Sequence, residues 1–107
     1  MTNVPTKELK LEILGGDINY KSSAFGYIVE GVTVVIKNVG DLPVYIGEID
    51  IKYGAESWKM LSYVGSKISP GAEKTIEVKT SKYLDTKPTS VRIRIVDKDK
   101  IIAEGSI

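Results

Sequence analysis

The chain has 107 residues, 42% of them apolar and 27% charged, with a formal net charge of +1. That suits one ordinary globular domain, with no overall field to draw in nucleic acid or acidic lipid. Cysteine and histidine are absent, which excludes disulfides, thiolate and imidazole metal sites and most nucleophile–base pairs.

The apolar set holds 14 Ile and 11 Val against 6 Leu, and β-branched side chains fit pleated, half-buried surfaces. Glutamine is missing, asparagine is scarce, and lysine and glutamate are abundant. Proteins of hyperthermophiles share this bias. No apolar run reaches the roughly 20 residues that span a bilayer. Residues 1–8 read as a linker and 9–107 as a single domain.

In chain order, residues 9–13 alternate apolar and charged, as a half-buried strand does. The Gly15-Gly16-Asp17 triplet predicts its end, and a loop holding Asn19, Ser22 and Ser23 is expected to run on to Phe25-Gly26. A long second strand covers about 27–39, with Val32, Val34 and Ile36 on one face, and its length predicts either a bend near Gly31 or two pieces. Asn38, Val39, Gly40 and Asp41 form a turn, because Asn and Gly tolerate positive φ. Pro43 lacks an amide proton and is expected at a strand start or on an edge.

The apolar parity then slips, from Val44 and Ile46 to Ile49, Ile51 and Tyr53. A β-bulge or a sheet switch at Gly47 explains the slip, since a one-residue slip sends the following side chains to the other face. A short loop at 54–56 leads to the strand that opens with Trp58, Lys59 and Met60. Ser69-Pro70-Gly71 predicts a type II turn. Residues 75–79 and 91–95 alternate cleanly. Between them, 81–86 is expected to form one helical turn, with Tyr83 and Leu84 plugging the core. The Asp97–Lys100 turn leads into a last strand at 101–107. Seven to eight short antiparallel strands at these spacings predict an all-β sandwich, with a small barrel as the alternative.

Little of this pattern carries chemistry. Asp97 and Asp99 alternate in a turn as calcium ligands do, but Lys98 and Lys100 oppose a cation and no downstream glutamate completes a binding loop. Asp17, Glu30 and Asp41 are candidates to converge at one end of the sandwich around a cation. Glu48, Asp50 and Lys52 share one strand face and read as a solvated, ion-paired surface. Arg92 and Arg94 share another and are too few to track phosphates, so no nucleic-acid partner is expected. No catalytic residue, cofactor or metal is expected. Trp58 and the tyrosines suit recognition. The expected partner surface consists of Pro43, Tyr45, Tyr53 and Trp58, beside a strand edge open to pairing.

The residues 34–44 (Val34, Ile36, Lys37, Asn38, Val39, Gly40, Asp41, Leu42, Pro43, Val44), followed by Ile49-Asp50-Ile51, resemble extracytoplasmic Ig-like sandwiches. So does the later Pro-Gly-Ala-Glu turn at 70–73, followed by the strand through Val78. Two groups share the pattern: adhesion-type domains of bacterial and archaeal surface proteins, and the soluble sandwiches of archaellins, pilin-like proteins and archaellum stators. The resemblance implies an archaeal setting and a non-catalytic domain that binds a surface-layer or filament protein, or itself. An N-terminal anchor ahead of the domain would place it outside the membrane; without one it would be cytoplasmic. The alternatives are a carbohydrate-binding or adhesion module and a cytosolic adaptor sandwich.

Overall fold

Seven strands pair antiparallel in two facing sheets, in a computed structural model that describes residues 9–88, 91–97 and 100–107. They are β1 (Leu11–Ser23), β2 (Gly26–Asn38), β3 (Val44–Tyr53), β4 (Lys59–Ile68), β5 (Glu73–Leu84), β6 (Val91–Asp97) and β7 (Lys100–Ser106). One sheet has the order β1-β2-β5 and the other β4-β3-β6-β7. The chain crosses between sheets after β2, β4 and β5, which makes this an Ig-like sandwich with its fourth strand on the sheet of β3, β6 and β7.

The core follows from period-two alternation. Val32, Val34 and Ile36 of β2 face Ile49 and Ile51 of β3 and Ile93 and Ile95 of β6, all fully buried. Each such side chain contributes about 1.5–3 kcal/mol relative to exposure. The predicted slip in β3 is present: its register with β4 breaks between Ile46 and Glu48, at Gly47. The bend in β2 is present too, as a break between Val29 and Gly31 in its pairing with β5. The Ser69-Pro70-Gly71 turn is type II, with the Ala72 amide donating to the Ser69 carbonyl at 3.0 Å and Gly71 at φ 83°.

Three expectations are overturned. The glycine pair does not end the first strand, because β1 runs unbroken through it to Ser23. Gly15 follows a register break, and a Cβ on Gly16 would collide with the Thr33 carbonyl oxygen. Gly16 therefore marks a close backbone approach inside a strand. The predicted loop is in fact the far half of a hairpin whose turn is only Ala24-Phe25. The helical turn at 81–86 is strand as far as Leu84, because the long β2 offers Tyr27, Ile28 and Val29 as partners for Leu84, Tyr83 and Lys82. Leu84 packs on the core as expected, whereas Tyr83 is about half exposed.

The 38–41 turn is set differently from expectation. Asn38 is fully buried and works through its side chain. Its Nδ2 donates to the carbonyls of Leu42 (2.8 Å) and Ile68 (2.9 Å), and its Oδ1 accepts from the Gly40 amide (3.0 Å). Its backbone bonds to Ala72 and Gly71. One residue thus ties three chain segments at this end of the sandwich.

Candidate functional site

The four residues expected to form a partner surface do not come together. Pro43 is half-buried just before β3, and Tyr45 stands 53% exposed near the start of that strand. After the slip at Gly47, Tyr53 points into the core at the other end of β3 and is only 5% exposed. Trp58, in the β3–β4 connection, carries the Arg94 guanidinium over its ring, 4.4 Å from the ring centre.

That guanidinium also holds Asp50, which pairs opposite Arg94 across β3 and β6. Nε and one terminal nitrogen of Arg94 reach Asp50 Oδ2 at 3.0 and 2.9 Å. Asp50 is 3% exposed, so this part of the face is not the solvated surface the sequence implied. Arg92 pairs with Glu104 at 3.2 Å, so both arginines of this face are held by carboxylates.

Among the described residues, no three carboxylates gather as a cation site would need. Asp17 lies opposite Thr33, Glu30 pairs weakly with Lys21 at 3.9 Å, and Asp41 sits beyond the far end of β2. Glu30 lies eight residues of strand before the end of β2, roughly 27 Å from the turn that carries Asp41. Asp97 ends β6, and Asp99 lies outside the described residues.

The structure exposes a different aromatic surface at the β1–β2 hairpin end. Along the inner face of this sheet, cover from the opposite sheet fades. Val32 and Val29 are fully buried, Tyr20 is 36% exposed, and Phe25 at the turn is 88% exposed. Tyr20 meets Tyr27 edge-on, with ring centres 5.8 Å apart, and Lys87 lies over the Tyr20 ring at 5.9 Å. The Tyr83 hydroxyl donates to the Phe25 carbonyl, fixing the turn to β5. Gly26 is required there, because a Cβ would strike the Leu84 carbonyl and the Tyr83 ring. Sequence reasoning missed this surface by reading its two halves as a loop and a helical turn. The signal that was present is the alternation Ile18/Tyr20 and Tyr27/Val29 on either side of a two-residue turn.

At the root of this hairpin the two sheets part in a cleft of about 460 Å³, lined by Tyr53, Gly54, Ala55, Glu56, Leu84, Thr86, Lys87, Pro88 and Val91. Gly54 at φ 53° starts the turn that carries Glu56, whose amide donates to the Tyr53 carbonyl at 2.9 Å. Glu56 pairs with Lys82 at 3.0 Å. That hydrogen bond raises the Lys82 ammonium above the usual lysine range, while contact with Lys82 lowers Lys59. The Tyr53 hydroxyl is buried and has no hydrogen-bond partner among the described residues.

Burial raises the Tyr53 hydroxyl above its ordinary value of 10.0, against an opposing pull from Lys82. The neutral form is thus favoured in the fold, so its contribution to stability is intact below pH 10 and is lost as pH rises through the raised value. In denaturant titrations from about pH 8 to about pH 11, the wild type is expected to lose more stability than Tyr53→Phe. Parallel losses in the two proteins would refute this assignment.

The strand order, the two-sheet packing and the absence of helix among the described residues define an Ig-like β-sandwich. No protein-family profile and no curated protein matches the chain. Among solved structures, it is similar to the archaellum periplasmic stator protein FlaG from Sulfolobus acidocaldarius. The identity is 16%, over 94% of this chain and 100% of that one, with a TM-score of 0.67. It is also similar to a chain of the FlaF–FlaG periplasmic stator complex of that organism, with 13% identity, 100% of both chains covered and a TM-score of 0.68. At these identities the likeness shows a shared fold.

Proposed function

We propose that the chain is a non-catalytic docking domain of an archaeal motility or cell-surface apparatus, acting outside the membrane and engaging another protein of that apparatus through its β1–β2 hairpin end. The observation that carries the reading is the aromatic surface there. Phe25 and Tyr83 are exposed together where the hairpin turn is fixed to β5, and Tyr20 is exposed on the opposite face of the same sheet end. Aromatic side chains on a fixed backbone are the usual anchors of protein interfaces. The whole-chain likeness to stator sandwiches, one of them in a two-protein complex, supports the setting.

Tyr45 and Met60 are also exposed, at separate positions on the outer face of the four-stranded sheet, and the test separates that face from the hairpin end. Phe25→Asp and Tyr45→Asp each alter an exposed side chain, so each should change stability by no more than about 0.5 kcal/mol. Capture of envelope proteins on the immobilised domain is expected to fail with Phe25→Asp and persist with Tyr45→Asp. The reverse result would move the interface to the outer sheet face. Unchanged capture with both would sink the docking reading.

A further inference from the structure

The cleft between Tyr53 and Leu84 has the makings of a binding site separate from the hairpin surface. Three observations point the same way. First, a hydroxyl with no partner sits at the inner end of β3, on a residue that is 5% exposed. The other inward residues of this strand are Val44, Ile46, Ile49 and Ile51. Phenylalanine would fill the same volume without the cost of an unsatisfied buried polar group. Second, the walls are apolar where Leu84, Pro88 and Val91 form them. Third, the charged rim is mainly cationic. Lys87 lines the cleft, Lys82 and Lys59 flank it, and the opposing carboxylate, Glu56, is already engaged by Lys82. A volume of about 460 Å³ lies within the range of small-ligand clefts.

We infer that this cleft binds a short apolar carboxylate. Its acid group would take the Tyr53 hydroxyl as donor beside the lysine rim, and its hydrocarbon part would lie against Leu84 and Val91. A cation is disfavoured by the three lysines. A neutral apolar molecule would leave the hydroxyl bare. The same chemistry is offered by a free acid or by the C-terminal residue of a peptide.

The test is an amide-resolved NMR titration of the ¹⁵N-labelled chain with four probes: N-acetylleucine, N-acetylleucinamide, and a hexapeptide ending in leucine with its C-terminus free or amidated. Saturable shifts are expected at 54–56 and 84–87 with the acids and not with the amides. Equal affinity for the two acids would identify a free small acid; an affinity for the peptide acid about tenfold higher would identify a chain terminus. Tyr53→Phe, which removes only the hydroxyl, is expected to keep the fold and weaken binding by about tenfold. Absence of saturation, amides binding as well as acids, or undiminished binding by Tyr53→Phe would overturn the inference. Phe25→Asp should leave the titration unchanged, so failure of the docking reading and failure of this site are separately visible.

Discussion

Replacing Arg94 with leucine is expected to destabilise the domain by about 3–5 kcal/mol, the range for breaking a buried ion pair on one side. Asp50 is 3% exposed and receives both of its described side-chain hydrogen bonds from Arg94. Its other oxygen, Oδ1, has no described partner. Without the guanidinium, a buried carboxylate is left unpaired, and the Trp58 ring loses the cation stacked on it. A loss of this size is a large part of the 5–15 kcal/mol that holds a typical domain folded. The paired variant Asp50→Val/Arg94→Met should recover most of it, because two apolar side chains need no partner. Urea unfolding followed by Trp58 fluorescence checks both. A loss below about 1 kcal/mol for Arg94→Leu would mean that the pair behaves as an exposed one.

Asn38→Ala should cost about 3 kcal/mol or more, from three hydrogen bonds removed together at about 1 kcal/mol or more each. The Ile68 carbonyl is the costliest orphan, since Ile68 is only 1% exposed. Gly40 and Leu42 are half-buried, and water offsets part of their loss. Asn38→Asp is the sharper comparison. It keeps an acceptor for the Gly40 amide but sets a carboxylate against the two carbonyls that Nδ2 now serves. It should be at least as unstable as Asn38→Ala. If positive φ were all that this position supplied, Asn38→Gly would be harmless. The hydrogen bonds predict instead a loss close to that of alanine, measurable in the same unfolding experiment.

What could be read before the coordinates is what period two encodes locally. The inward faces of β2 and β6, the slip at Gly47 and the turn at Gly71 each rest on a few neighbouring residues, and each is present. The errors share one cause, which is that the deciding partner lies far along the chain. Gly16 looked like a strand end because nothing local reveals the Thr33 carbonyl against it. Residues 81–84 looked helical because nothing local shows β2 extending to Tyr27. Asp50 sits among charged neighbours on the outward face and looked solvated. It is buried because Arg94, 44 residues away, folds over it beneath Trp58.

The candidate site was less legible than the fold for the same reason. Tyr45 was correctly placed on an exposed face and Tyr53 was not, because the slip that the sequence revealed also turns Tyr53 inward. Phe25 and Tyr83 lie 58 residues apart and meet only when the hairpin closes on β5. A search for aromatic residues in a two-residue turn between alternating strands would have found Phe25; Tyr83 needed the register.

Hydrogen exchange measured on the free domain and on the domain bound to its captured envelope partner tests the central claim most directly. Docking through the hairpin end predicts slowed exchange at residues 20–29 and 82–84, with residues 43–48 and 60 unchanged. Protection confined to 43–48 and 60, or no protection at all on binding, would contradict it.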